Sequence, residues 1–90
     1  MYMNHKHLER ITRGFSNHRR IQILELLHKV PELSVEEIAS RFKINYKTAS
    51  DHIRRLAISG LVLKRNEGAA VRHKLTPRGA GVLKFLRTLE

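Results

Sequence analysis

The chain has 90 residues, which is enough for one small domain with one modest core. Lys and Arg number 18 against 8 Asp and Glu, a net charge of +10 with His neutral, which points to a polyanionic partner. No stretch approaches the ~18 consecutive apolar residues of a spanning helix, Met1 to Leu8 is too polar for a signal peptide, and the absence of Cys excludes disulfides and thiolate metal sites.

A first helix is expected from Asn4, as N-cap, to Arg13. Leu8, Ile11 and Phe15 fall at helical spacing, and Gly14 marks the stop. Asn17 caps a second helix through Lys29, whose wide apolar face of Ile21, Ile23, Leu24, Leu26 and Leu27 predicts burial on more than one side. Val30-Pro31 ends it, because the residue before a Pro is pushed out of helical geometry. Ser34 and Glu37 form a capping box that starts a third helix with Ile38, Ala39 and Phe42 facing inward. Lys43 and Ile44 make the turn, and Asn45 caps a fourth helix with Ala49, Ile53, Leu56 and Ala57 inward. Gly60 suits the residue just past its end.

Periodicity then shortens. Leu61 to Arg65 and Ala70 to Leu75 alternate around Asn66-Glu67-Gly68-Ala69, which predicts a β-hairpin with Gly in its turn. Thr76-Pro77 opens a last helix over residues 77–89. The fold class is therefore mainly α with a small β-hairpin wing, in the order α-α-α-α-β-β-α. It reads as one domain over 1–90, with a helix-turn-helix at 34–59 and a wing at 61–75.

Charge is segregated along the chain. Met1 to Glu37 holds six basic and five acidic residues, whereas Ile38 to Arg87 holds twelve basic residues against Asp51 and Glu67. A charge needed only for solubility has no reason to separate in this way. A helix-turn-helix followed by a cationic hairpin is built to meet double-stranded DNA, its second helix in the major groove. The side chains opposite the buried stripe of that helix are Tyr46, Lys47, Ser50, Asp51 and Arg54. Of these, Lys47, Ser50 and Tyr46 are the candidates for base edges or backbone. Asn45, Thr48 and the free amides at the helix start suit phosphate. Asp51 is repelled by phosphate unless it accepts from a cytosine amino group or orients Arg54 or Arg55. The wing supplies Lys64, Arg65, Arg72, His73 and Lys74, of which Arg65 and Arg72 lie nearest the tip.

Six His residues are scattered, with no pair at ligand spacing on one helix face, so no metal site and no cofactor are expected. The one metal arrangement open to the chain joins His5 and His7 of two subunits near a dimer axis. There is no Cys nucleophile, no Gly-rich phosphate loop and no carboxylate pair beyond Glu36-Glu37, which helix capping accounts for, so catalysis finds little support. Leu8, Ile11, Phe85, Leu86 and Leu89 exceed what one core of this size needs, and predict a homodimer interface formed by the first and last helices.

The run Phe15 to Leu27 resembles the opening of ArsR-like winged-helix repressors, and Glu32-Leu33-Ser34-Val35-Glu36-Glu37-Ile38-Ala39 is similar to the segment that starts their helix-turn-helix. Asn45 to Leu56 is similar to their recognition helix, and Ile58-Ser59-Gly60-Leu61-Val62 to the turn after it. Leu75-Thr76-Pro77-Arg78-Gly79 resembles the close of MarR-like wings. The resemblance covers Phe15 to Gly79. It implies a cytoplasmic, nucleoid-associated, homodimeric prokaryotic transcription regulator on a pseudo-palindromic operator. It maps DNA reading onto Tyr46, Lys47, Ser50 and Asp51, with a wing contact near Arg65 or Arg72. Metal-sensing members carry Cys where this chain reads Leu33-Ser34-Val35-Glu36, or carboxylate and His ligands on a last helix that here, Pro77 to Glu90, contains no His. A metal or small-molecule effector therefore stays only an open alternative, as does a protein-contact module within a transcription assembly.

Overall fold

The computed structural model describes residues 2–90, so Met1 of the expected 1–90 domain lies outside the described residues. Five helices and one hairpin follow in the expected order: α1 His5–Phe15, α2 His18–Lys29, α3 Val35–Phe42, α4 Tyr46–Ile58, β1 Val62–Glu67, β2 Ala70–Leu75 and α5 Pro77–Arg87. Each helix start is capped by the residue its sequence offers. Asn4, Asn17, Asn45 and Thr76 each accept from an amide two or three residues on, and Ser34 and Glu37 form both halves of the capping box.

One apolar core joins the elements. Ile23, Leu24 and Leu27 of α2 meet Ile38 of α3, Ile53 and Leu56 of α4, Leu61, Val62 and Leu83, all almost fully buried. A Leu or Ile buried to this extent is worth roughly 1.5–3 kcal/mol relative to exposure. As its wide apolar face predicts, α2 is enclosed on several sides, with Ile21 and Leu26 half-buried beside its buried stripe.

The strands pair antiparallel in the register Val62↔Leu75 to Glu67↔Ala70, which closes on a two-residue turn, Gly68-Ala69. Gly68 adopts φ +60°, a conformation open to glycine without steric cost. A third backbone segment joins on the far side of β2, where the His73 amide donates to the Leu33 carbonyl and the Glu32 amide donates to the His73 carbonyl, both at 2.9 Å. The base of the hairpin is thus stitched to the turn that precedes α3.

Two expectations change. Gly14 does not stop α1, which continues to Phe15; it is buried where α1 crosses the end of α4. A Cβ at Gly14 would lie 1.8 Å from Ser59 Oγ and 2.5 Å from Ser59 Cβ, so the residue is selected by a close crossing rather than a helix end. His73, expected among the wing cations, is buried at 1% exposure, with Nδ1 2.9 Å from the Leu33 carbonyl. The pleat decides this, because residues alternate across a strand and Val62, His73 and Leu75 share the core-facing side.

Candidate nucleic-acid interface

Ala39 and Ala49 are both buried where α3 and α4 come together, and small side chains there let the two helices approach closely. Between them Lys43 takes φ +54°, its amide bonding back to Ala39 and Ser40, so the chain reverses within three residues. Asn45 Oδ1 then accepts from the Thr48 amide at 2.7 Å and fixes the entry of α4. At the other end of the bed, the Ser34 amide and hydroxyl hold the Glu37 carboxyl below the ordinary carboxylate range, with Arg72 and Arg41 adding to the effect.

Burial divides α4 cleanly. Ala49, Ile53 and Leu56 are enclosed, while Lys47, Asp51, Arg54 and Ile58 form an exposed stripe at offsets of four, three and four. Tyr46 is 57% exposed at the N-terminus, and Thr48 and Ser50 are half-buried on the flanks. No carboxylate pairs with Lys47 among the described residues, whereas Asp51 lies 3.8 Å from Arg54. Both members of that pair are half exposed, so the contact orients Arg54 without contributing much stability.

The wing is arranged differently from the tip-first expectation. Arg65 and Arg72 are cross-strand partners, so they share the sheet face opposite His73, and Glu32 lies across that face. Arg65 bonds Glu32 and Glu67, which raises its pKa. Arg72 donates to the Glu32 carbonyl at 3.1 Å and lies 3.7 Å from Glu37. Among the described residues Lys64 and Lys74 have no carboxylate partner, so they are the wing cations that need break no ion pair to meet an anion.

Three features of this surface lie outside the sequence-based expectations. Arg10, Arg13 and Arg55, which stand far apart in the chain, line one groove between α1 and α4 with Arg54 and Arg78. Behind it, Arg20 sends one guanidinium nitrogen to within 3.4 Å of His52 Nδ1 and another to the Arg13 carbonyl at 3.3 Å. Burial, followed by the charges of Arg20 and Arg19, pushes the His52 pKa down and favours its neutral form. The remaining features are the Glu32 clamp on the wing and the burial of His73. No spacing rule signals the groove or the clamp, whereas the period-two alternation that sets His73 on the face of Leu75 was the available signal for its burial.

Of the residues expected at a subunit interface, Leu8, Phe85 and Leu89 are 38%, 57% and 65% exposed, while Ile11 and Leu86 are half-buried. Among the described residues no three His, Asp or Glu side chains converge to hold a metal ion, and no helix is long and apolar enough to cross a membrane.

A helix seated over α3 with an exposed face carrying Lys47 and Arg54, and a hairpin at its side, is a winged helix-turn-helix. The family model described as bacterial regulatory protein, arsR family, matches residues 17–64. The chain belongs to the ArsR family. The HTH-type transcriptional regulator Rv0324 of Mycobacterium tuberculosis is 42% identical over 59 residues, 66% of this chain and 26% of that protein, so this ArsR-family chain spans about a quarter of that relative's length. Among solved structures, the homodimeric winged helix-turn-helix DNA-binding domain Mb0332 of Mycobacterium bovis superposes with a TM-score of 0.84 at 30% identity, covering 93% of this chain and 78% of that one. HlyU from Vibrio cholerae superposes at 0.82 with 31% identity over 99% and 97% of the two chains. The ArsR family is regulatory rather than catalytic; the Mycobacterium tuberculosis relative is an HTH-type transcriptional regulator, and the Mycobacterium bovis domain is described as a possible ArsR-family one.

Proposed function

We propose that this ArsR-family protein binds double-stranded DNA as a homodimer and regulates transcription. The observation that carries the reading is the exposed stripe of α4, which stands outward from an apolar bed, with no carboxylate among the described residues paired to Lys47 at its N-terminal end. In the bound state Tyr46, Lys47, Ser50 and Asp51 face base edges in the major groove, and Asn45, Thr48 and the first amides of α4 meet phosphate. Arg54 is held for the backbone by Asp51. Lys74 takes a flanking phosphate or the minor groove directly, and Arg65 and Arg72 join it only by loosening their bonds to Glu32 and its neighbours.

Two-fold symmetry through α1 and α5, with Leu8, Ile11, Phe85, Leu86 and Leu89 at the interface, sets two α4 helices about one DNA turn apart, ~34 Å. That the Mycobacterium bovis domain is homodimeric supports a two-subunit assembly. The test is Lys47→Ala, measured by anisotropy on a duplex that the protein selects from a random pool. Loss of roughly 1–3 kcal/mol on the selected duplex, with random DNA little affected, is the expected result for a base contact. Equal loss on both duplexes reassigns Lys47 to phosphate. Absence of any duplex binding at low salt removes the proposal and favours a protein-contact role.

A further inference from the structure

Alongside the C-terminal half of α4 runs a groove of about 520 Å³, walled on the other side by α1. Arg10, Arg13, Arg54, Arg55, Arg78 and His7 line it, and no carboxylate does. Two of the five guanidinium groups have a distant or exposed acidic neighbour: Arg13 pairs with Glu9 at 3.1 Å and Arg54 with Asp51 at 3.8 Å. Arg10, Arg55 and Arg78 have none within ion-pair distance among the described residues. Arg20 presses on the cluster from behind, with its Nε buried and unbonded and its pKa lowered by burial and by Arg55. So many like charges brought together are held against their own repulsion, which an anion would relieve.

We infer that this arginine groove is a second phosphate-binding surface, occupied by the DNA backbone beyond the rim of the major groove that receives α4. The inference rests on the proposed DNA binding of α4. Arg54 and Ile58 line the groove and also belong to the exposed stripe that begins at Lys47, so both surfaces open on the same side. From Lys47 to Ile58 the helix advances roughly 16 Å, which exceeds the ~12 Å width of the major groove. With Lys47 among the bases, the end of α4 has passed the sugar-phosphate wall. The Gly14–Ser59 crossing locks α1 against that end of α4, which sets Arg10 and Arg13 where the wall runs. Guanidinium groups bind phosphate oxygens bidentately, and several of them make a clamp. α1 is then a DNA-contacting element as well as part of the proposed subunit interface.

The test is the salt dependence of binding by the full chain, measured by anisotropy between about 50 and 200 mM salt on a selected and a random duplex. Arg10→Gln and Arg55→Gln should each weaken both duplexes by the same factor, about 3- to 10-fold. Each should flatten the slope of log K against log salt by about 0.9 for every phosphate it no longer neutralises. Lys84→Gln on α5 serves as the charge-matched control and should leave the slope within about 0.3 of the wild type. Glu9→Gln, an exposed change, releases Arg13 and should tighten both duplexes about 2-fold, opposite in sign to any folding defect. Unchanged slopes in Arg10→Gln and Arg55→Gln, with Lys47→Ala still impaired, would overturn this inference alone. Inorganic pyrophosphate provides the second arm. If it binds tightly and Arg10→Gln abolishes that binding while leaving the duplex slopes intact, the groove serves a soluble phosphate ligand and the DNA assignment is overturned. Failure of the wild type to bind any duplex sinks the parent reading, and this one with it.

Discussion

Gly14→Ala is a sharp test of how α1 is held. On an isolated helix the change stabilises by roughly 0.8–1 kcal/mol, because Ala has far higher helix propensity than Gly. Here the new Cβ would stand 1.8 Å from Ser59 Oγ and 2.5 Å from Ser59 Cβ. Rotation of Ser59 moves its hydroxyl away, at the loss of the 3.0 Å bond to the Arg55 carbonyl. It cannot move the Cβ, so α1 must withdraw by about an ångström from the end of α4. Overpacking of this kind costs roughly 1–3 kcal/mol, and the bond to Arg55 adds about 0.5–1. After the gain in propensity is subtracted, the net loss is about 0.5–3 kcal/mol, or some 2–24 °C in melting temperature for a domain of this size.

Urea denaturation and thermal melts followed by circular dichroism measure the loss, and Ser59→Gly in a double-mutant cycle isolates its cause. With both atoms of the clash gone, Gly14→Ala should become neutral or stabilising, a coupling of at least about 1 kcal/mol. If Gly14→Ala alone raises stability, propensity has won, and the close crossing of α1 on α4 is refuted.

Other measurements bear on separate parts of the molecule. Burial lowers the pKa of His73 against the opposing bond to Leu33, so the unfolded chain binds the proton more readily than the folded one. Stability should therefore hold above the unfolded-state value near 6.5 and fall below it, by up to ~1.4 kcal/mol per pH unit for that proton. In His73→Gln the part of the acid slope due to this group should vanish; an unchanged slope assigns acid sensitivity elsewhere, with His52 the next candidate because its pKa is lowered too. Glu67→Gln should free Arg65 in part and raise affinity for any duplex about 2-fold at low salt, without sequence preference. A loss of affinity there would mean that the Glu67–Arg65 bond shapes the wing for DNA rather than competing with it.

The order of elements could be read from local chemistry because each boundary is marked by residues whose preference acts within three or four positions. Asn17, the Ser34–Glu37 box, Asn45, Gly60 and Thr76-Pro77 all satisfy or terminate backbone bonding where the sequence places them. The exposed stripe of α4 followed for the same reason, since helical periodicity converts spacing directly into faces. Gly14 misled because a glycine fits a helix end and a close crossing equally well, and only the partner, Ser59, tells them apart.

Charge was legible as an amount and as a gradient along the chain, but not as an arrangement. A guanidinium reaches several ångströms from its backbone, so its partner is chosen by what the fold brings near. Arg65 and Arg72 found Glu32 because strand register and the Leu33–His73 bridge carried that turn across the sheet. Arg10 and Arg55 found no carboxylate among the described residues and Arg13 only its helical neighbour Glu9, and the three came to share one groove only because two helices cross at Gly14. Sequence determined the helices, the hairpin, the buried stripes and the excess of positive charge, all of which depend on neighbours a few residues away. Tertiary structure alone decided which cations are neutralised and which arginines stand together, because those outcomes depend on distances across space between residues far apart in the chain.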